Sequence, residues 1–165
     1  MQHIEDPLDR LFAMTDQVIL ALLGRGYRRF ICGGATGFDT IAASSLVRLR
    51  AAHPEIRLIL ALPCADQTSA WSDQNRVLHE TIRAQADQVI TLSPHYYRGC
   101  MMVRNRFMVD HADFCVAYYR DRGTGGTLST IRMAMHRGLP VLNLAVPGEL
   151  ARFLRETESL QPLPF

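Results

Sequence analysis

The chain has 165 residues, of which 48% are hydrophobic and 21% are charged. This is the composition of one ordinary soluble globular domain, and no segment of the chain is of low complexity. A formal net charge of +2 is too small to indicate a nucleic-acid or membrane partner by itself. We therefore expect a single domain over residues 1–165.

Helical and strand patterns alternate along the chain. A first helix is predicted from Asp6-Pro7 to about Gly24, because its apolar residues recur at helical spacing. Short apolar runs predict strands over residues 29–32, 57–62, 88–92, 114–118 and 140–145. Further helices are predicted over residues 39–52, 71–86, 102–111, 126–136 and 148–155.

This alternation predicts the fold class. Strands separated by helices of about ten or more residues indicate a parallel sheet that is covered on both faces. We predict a Rossmann-like, doubly wound α/β domain with five mainly parallel strands and helices on both faces of the sheet. In such a sheet the first and fourth strands are neighbours, and ligands bind beyond the carboxyl ends of the strands.

A glycine-rich segment, Gly33-Gly34-Ala35-Thr36-Gly37, follows the first predicted strand. Glycines let the backbone turn sharply and expose its N–H groups, and the helix behind them adds partial positive charge. We expect Asp39 to cap that helix. The segment predicts an anion-binding turn, and the alternative is a tight turn that binds no ligand.

A second glycine-rich segment, 122–127, follows the fourth predicted strand and contains Gly125-Gly126-Thr127. If the first and fourth strands are neighbours, the two turns face one crevice. Tyr118 and Tyr119 end the fourth strand, where a ring either stacks on a base or ribose or spans core and surface. We therefore predict a binding site for a phosphate-bearing ligand between the turns.

These segments, together with Arg104-Asn105 on the helix between them, resemble the SLOG superfamily, named for the Smf/DprA and LOG proteins. The YpsA-like branch of bacterial proteins is more similar still, since it shares the region of Trp71 and the stretch 104–110. The similarity covers about residues 28–145. It implies a Rossmann-like fold that binds a nucleotide-derived ligand such as NAD, ADP-ribose or a nucleotide monophosphate.

Some SLOG relatives are phosphoribohydrolases that release free cytokinins, and this chain departs from their motif. Those enzymes carry PGGxGTxxE, in which the Glu serves catalysis, and Thr130 stands at that position here. A hydroxyl has no carboxylate to act as base or to stabilise an oxocarbenium-like centre. Hydrolysis of an N-glycosidic bond would therefore need another carboxylate, and the candidates are Asp39 and Asp121.

Each remaining candidate residue has two interpretations. Arg104 either grips two phosphate oxygens or forms a surface salt bridge with Asp110 or Asp113. Asn105 either reads a base or ribose edge or caps a loop, Trp71 either walls the crevice or anchors packing, and Asp121 either reaches a ribose hydroxyl or forms a turn. The predicted ligand-binding residues are Gly33, Gly34, Ala35, Thr36, Gly37, Asp39, Trp71, Arg104, Asn105, Tyr118, Gly125, Gly126 and Thr127.

Neither a metal nor a membrane is expected. The four cysteines lack CxxC spacing and the histidines are scattered, so we predict no metal site and a reduced, cytoplasmic protein. The N-terminal residues lack an apolar core of the kind found in signal peptides. The expected partner is a small phosphate-bearing ligand, and the resemblance leaves a homodimer open.

Three functions follow in order of preference. The first is a module that binds a nucleotide derivative, with sensing as a role open to it, and the second is an N-glycosidic-bond hydrolase acting on such a ligand. The third is a single-stranded DNA binder, by analogy with the Smf/DprA relatives. The small net charge offers little support for the third function, because such a protein needs a basic groove with interleaved aromatic residues.

Overall fold

A computed structural model describes residues 7–121 and 123–160. Six helices and five strands alternate through this part of the chain. In chain order they are α1 (Leu8–Gly24), β1 (Arg29–Cys32), α2 (Phe38–Leu49), β2 (Arg57–Leu62), α3 (Asp73–Gln85), β3 (Gln88–Thr91), α4 (Cys100–Asp110), β4 (Cys115–Ala117), α5 (Gly126–His136), β5 (Val141–Asn143) and α6 (Glu149–Ser159). The predicted elements are thereby confirmed, with ends that shift by a few residues.

The strands are parallel, and they form two sheets rather than one. One sheet has the order β1-β2-β3, with Arg29 opposite Arg57 and Ile59 opposite Gln88. The other sheet pairs β4 with β5, with Cys115 opposite Val141. The result is an α/β architecture of helices and parallel strands, consistent with a Rossmann-like fold.

The prediction of a single five-stranded sheet is therefore wrong. A ladder between β1 and β4 would bring their backbones to about 4.8 Å from each other. Instead, Ile31 of β1 and Cys115, Val116 and Ala117 of β4 all line the same cavity. The two strands border one cavity without a ladder between them.

Side-chain packing holds the two sheets in one core. Leu11 and Val18 of α1 pack in a cluster with Leu142 of β5, whereas Ile19 of the same helix packs in a cluster with Leu60 of β2. Phe30 of β1 packs against both clusters. The helix α1 therefore spans the junction between the sheets, where burial of its apolar face stabilises the fold.

The helices pack in two groups. The helix α1 contacts α2 and α6, and α3 contacts α2. The helix α4 contacts α5 and also β2. The packing of this second group places Arg104, on α4, at the end of β1. Within the described ranges, no helix is long and apolar enough to cross a membrane.

Candidate functional site

One cavity of about 910 Å³ opens between the two glycine-rich turns. Ala35, Thr36 and Asp39 line it from the side of β1, whereas Gly125 and Gly126 line it from the side of β4. Cavities that hold small ligands commonly measure about 300–1,000 Å³. The two turns that the sequence singled out therefore share a space large enough for a nucleotide-sized molecule.

Gly33, Gly34 and Gly37 determine the shape of the first turn, and none of the three lines the cavity. Gly34 and Gly37 have φ angles of +71° and +91°, in the left-handed region that favours glycine. At Gly33 a Cβ atom would lie 2.8 Å from Nη1 of Arg104 and 2.9 Å from Oδ2 of Asp39. Glycine at position 33 is therefore required by the close approach of two charged side chains.

Asp39 turns back toward this loop. Its Oδ2 accepts a hydrogen bond from the N–H of Ala35 at 3.2 Å, and the N–H of Gly33 donates to the same carboxylate. The N-cap of α2 is Gly37, which makes no side-chain capping bond, so the prediction that Asp39 caps this helix is wrong. Asp39 lies inside the first turn of the helix, where its side chain reaches the loop amides instead.

The pKa of Asp39 is raised above its ordinary value. Burial is the main cause, because it disfavours the charged form of the carboxyl group. The positive charge of Arg104 and the two loop amides oppose the shift. Asp39 thus occupies the amides that the sequence analysis assigned to a ligand anion at the first turn.

Arg104 is buried, with 4% of its surface exposed. Its Nη1 donates to the carbonyl oxygen of Gly33 and, at 3.5 Å, to that of Ala61. The alternative of a surface salt bridge to Asp110 or Asp113 is therefore wrong, since α4 directs this guanidinium into the molecule beneath the first turn. Arginine stays charged even when it is buried, so a fixed positive charge lies at the cavity wall.

Asn105 follows Arg104 on α4 and lies near the second glycine-rich turn. Its Oδ1 accepts a hydrogen bond from Nε of Arg104 at 2.7 Å. Its Nδ2 lies 4.0 Å from the point that a Cβ atom of Gly126 would occupy. Because Asn105 lies inside α4, it does not cap a loop. Arg104 therefore contacts the first turn through Gly33, and Asn105 lies beside Gly126 of the second turn.

The aromatic candidates combine packing with exposure to the cavity. Tyr118 is 3% exposed, and its ring centroid lies 6.3 Å from that of Phe38, yet it also lines the cavity. Trp71 lines the cavity as well and meets the ring of His79 edge-on at 5.3 Å. Both residues therefore pack against the protein and also border the cavity, and a contact of either ring with a ligand stays a prediction.

The second glycine-rich segment and the neighbouring Asp121 differ in arrangement from the first segment and Asp39. Oδ1 of Asp121 accepts the N–H of Gly123 at 3.0 Å, as in an ordinary turn, and Asp121 does not line the cavity. Gly125 is the N-cap of α5 and makes no side-chain capping bond. Thr127 and Thr130 also border the cavity. Arg122, the first residue of the segment, lies outside the described residues.

Comparison with known proteins assigns the family. The family model described as the YspA SLOG family matches residues 8–138, which include both glycine-rich turns and the Arg104-Asn105 pair. The chain belongs to this family. The resemblance seen in the sequence is thereby confirmed.

Bacterial relatives agree with the assignment. A UPF0398 protein from Halalkalibacterium halodurans is 28% identical over 148 residues, which cover 87% of this chain and 78% of the relative. The SPbeta prophage-derived protein YoqJ of Bacillus subtilis is 28% identical over 138 residues, covering 76% of this chain and 78% of the relative. A UPF0398 protein from Bacillus pumilus is 28% identical over 132 residues, covering 79% and 71% respectively.

The sequence analysis did not predict the residues that line the cavity after the end of β2. Asp66 and Gln67 both line the cavity, as does Tyr96 from the loop after β3. The thiol of Cys64 and the N–H of Tyr96 donate to Asp66, and together they hold the pKa of its carboxyl group below its ordinary value. The sequence could have indicated these residues by their position, because they follow the carboxyl ends of parallel strands, where ligands bind.

Asn143 was also missed. Its Oδ1 accepts the N–H of Tyr119 at 2.9 Å, and its Nδ2 donates to the carbonyl oxygen of Tyr119 at 2.7 Å. The hydroxyl of Tyr119 in turn donates to the carbonyl oxygen of Thr124 at 3.1 Å. Asn143, at the end of β5, therefore helps to position the second glycine-rich turn.

Metal ligation finds no support in the geometry. In the stretches 7–121 and 123–160, His, Cys, Asp and Glu side chains form no group of three or more that could hold a metal ion. Cys32, Cys64, Cys100 and Cys115 are all free thiols. Burial raises the pKa of Cys64 to about 11 and that of Cys115 to about 11, so these thiols stay protonated at neutral pH.

Proposed function

We propose that this chain binds a phosphate-bearing, nucleotide-derived ligand of the ADP-ribose, NAD or nucleotide monophosphate type. The observation that carries the proposal is that both glycine-rich turns wall one cavity, which Arg104 and Asn105 line as well. Such a ligand has an anionic part and a flat aromatic part, and the cavity offers surroundings suited to each. In this proposal the protein is a binding module, with sensing as its role.

The phosphate belongs at the second turn. The amides of Gly33 and Ala35 in the first turn already donate to Asp39. At the second turn, Gly125 and Gly126 begin α5 without a side-chain cap, and both border the cavity. A helix N-terminus favours an anion through its unpaired N–H groups and the helix dipole. The positive charge of Arg104 at the wall of the same cavity adds to this preference.

The aromatic part of the ligand belongs on the opposite side of the cavity. Trp71 precedes α3 and Tyr96 precedes α4, and both line the cavity. The N–H of Tyr96 is fixed by Oδ1 of Asp66 at 2.9 Å. Aromatic side chains stack on nucleic-acid bases with a gain of about 1–3 kcal/mol per base. These two rings therefore suit a base better than a second anion.

Isothermal titration calorimetry tests this proposal with ADP-ribose, NAD, AMP and inorganic phosphate as ligands. The variant Gly126→Asp places a carboxylate at the proposed phosphate position, where there is room for a Cβ atom. We expect it to weaken nucleotide binding at least tenfold by charge repulsion, a change of about 1.4 kcal/mol. The matched control is Ala151→Asp, which adds the same charge to the exposed first turn of α6, outside the cavity.

Two outcomes contradict the proposal. The first is the absence of binding to every ligand in the panel by protein that is folded by circular dichroism. The second is an equal loss of affinity in Gly126→Asp and Ala151→Asp, because a general effect of charge would then explain the result without a phosphate site at α5.

A second candidate function, hydrolysis of the N-glycosidic bond of the ligand, is favoured by the carboxylates of the cavity. Asp39 and Asp66 both line it, and their pKa values shift in opposite directions, upward for Asp39 and downward for Asp66. Two carboxyl groups with such different environments suit the roles of proton donor and charged partner. In this candidate, Asp39 protonates the leaving base as the N-glycosidic bond breaks, and Asp66 stabilises the oxocarbenium-like centre. A water molecule then adds to that centre and gives its proton to the carboxylate of Asp39.

Chromatography of the released base decides between binding and hydrolysis. If the chain is a hydrolase, Asp39→Asn and Asp66→Asn each abolish release of the base, whereas Asp121→Asn, outside the cavity, leaves it unchanged. No release of base from any bound nucleotide excludes hydrolysis and leaves the binding function.

A further inference from the structure

A second arginine lines the cavity on the side of the second glycine-rich turn. Arg120 follows β4, is exposed, and lines the cavity together with Gly125 and Gly126. Arg104, by contrast, is 4% exposed, and its Nε and Nη1 donate to oxygen atoms of the protein. A ligand in the cavity can therefore contact the guanidinium of Arg120 directly, whereas Arg104 acts on it mainly through its charge.

Hydrogen bonds fix the backbone from which the Arg120 side chain starts. The carbonyl group of Tyr119, which accepts from Nδ2 of Asn143 at 2.7 Å, belongs to the same peptide group as the N–H of Arg120. The hydroxyl of Tyr119 donates to the carbonyl oxygen of Thr124 at 3.1 Å, and Thr124 immediately precedes Gly125. The attachment point of Arg120 and the beginning of α5 are thus held in one loop.

We propose that Arg120 binds the second phosphate of a nucleoside 5′-diphosphate group; this inference rests on the proposed function. There the first phosphate lies at the beginning of α5, and the favourable field of a helix dipole falls off within the first turn. A neighbouring phosphate beyond that range needs a cation of its own. A guanidinium suits this role because it can grip two phosphate oxygens at once.

The rest of the cavity agrees with an extended anion at this place. Its volume of about 910 Å³ is near the upper end of the range of about 300–1,000 Å³ that is usual for small ligands. Asp39 and Asp66 also line it, but they accept hydrogen bonds at the first turn and from Tyr96. The second turn, with Arg120 and the beginning of α5, is therefore the favourable place for two adjacent phosphates.

The test compares ADP with AMP, which differ by one phosphate, and includes ADP-ribose, in which the diphosphate is a bridge. By isothermal titration calorimetry we expect a diphosphate to bind the unmodified protein about tenfold more tightly than AMP, or more. Arg120→Gln is expected to lower that affinity to the affinity for AMP and to leave AMP binding unchanged. Tight binding of ADP alone would assign a terminal diphosphate, and tight binding of ADP-ribose would assign a bridging one.

Two further variants separate this role from a general effect of charge. The matched control is Arg132→Gln, which removes the same charge from an exposed position of α5 outside the cavity and is expected to change none of these affinities. Arg120→Lys keeps the charge but cannot grip two oxygens at once, so it is expected to recover only part of the lost affinity. Because Arg120 is exposed, the midpoint of urea unfolding should be the same in Arg120→Gln as in the unmodified protein.

Three results would overturn the assignment of Arg120 and leave the proposed function standing. The first is that neither ADP nor ADP-ribose binds the unmodified protein more tightly than AMP. The second is an equal loss of affinity for AMP and for the diphosphates in Arg120→Gln, which would show a role in the fold or at the first phosphate. The third is an equal loss in Arg120→Gln and Arg132→Gln. Failure of every nucleotide to bind overturns the proposed function itself, and this inference with it.

Discussion

Gly33 shows how little space separates the residues that form the first turn. The carbonyl oxygen of Gly33 accepts a hydrogen bond from Arg104, and its N–H donates to Asp39. Its missing side chain lets those two charges come together at the cavity wall. A single residue of the strand end therefore connects β1, α2 and α4.

Gly33→Ala is expected to destabilise the protein. The added methyl group would lie within 3 Å of Arg104 and of Asp39. Inserting a carbon atom into such a packed site typically costs about 1–3 kcal/mol, so the midpoint of urea unfolding should fall. Gly126→Ala is the matched control, because its Cβ would have Asn105 as its nearest neighbour at 4.0 Å. Equal midpoints for the two variants would contradict this account of Gly33.

Asp39 gives stability a specific dependence on pH. Its pKa is raised in the folded protein above the ordinary value of 3.8, so the folded chain binds this proton more tightly than the unfolded chain. Stability therefore falls as pH rises from 3.8 to the raised pKa, and the loss is complete above it.

Asp39→Asn tests this dependence, because an asparagine does not titrate. Urea unfolding of both proteins without ligand, from pH 3.5 to pH 8, is the measurement. We expect the unmodified protein to lose stability relative to Asp39→Asn as pH rises through about 4 and above. Profiles that stay parallel over the whole range would show that Asp39 titrates at the same pH in both states.

Asn143 matters at the scale of the elements, because it joins the end of β5 to the end of β4. Two hydrogen bonds connect its side chain to the backbone of Tyr119, and its N–H donates to Glu149 of α6 at 2.8 Å. These contacts help to fix the exit of β4. The position of the second turn depends on it through Tyr119 and Thr124.

Asn143→Ala is expected to lower the unfolding free energy by about 1–3 kcal/mol, since it removes two hydrogen bonds to the backbone of Tyr119, each worth about 0.5–1.5 kcal/mol. Nucleotide affinity should fall as well, because Tyr119 no longer holds Thr124 in place. Asn75→Ala, at an exposed site on α3, is the control and should change neither property. Similar losses of stability in Asn143→Ala and Asn75→Ala would show that the hydrogen bonds of Asn143 contribute no more to stability than an exposed asparagine does.

At the scale of the whole molecule, the cavity lies between the two sheets. Ile31 of β1 and Val116 of β4 line it together with both turns. A ligand there contacts elements from both sheets at once. Ligand binding should therefore couple two parts of the molecule that lack a shared ladder.

Saturation with a nucleotide is expected to stabilise both turns together. At a concentration about 100 times its Kd, a ligand that binds only the folded state adds about 2.7 kcal/mol to the unfolding free energy. Hydrogen exchange followed by mass spectrometry should slow in residues 35–37 and 124–127 alike. Residues 146–148, in a turn outside the cavity, serve as the internal control. Slower exchange in only one glycine-rich turn would show that the ligand does not bridge the sheets.

The order of elements and the two glycine-rich turns were determined by the sequence itself. Apolar periodicity is a local property, and it located α1 and the buried strand β2, whose Leu58 and Leu60 are fully buried. Glycines at strand ends indicate turns for an equally local reason, because only glycine adopts a positive φ without strain. Their order along the chain was sufficient for the family assignment.

Only the tertiary structure decided how these parts work together. Arg104 and Gly33 are 71 positions apart, so neither the burial of Arg104 nor the bond between them can be read from local pattern. The same holds for Asp39, whose carboxylate accepts hydrogen bonds from the amides that were expected to bind an anion. The division into two sheets also depends on contacts between distant segments, and local periodicity carries no information about such contacts.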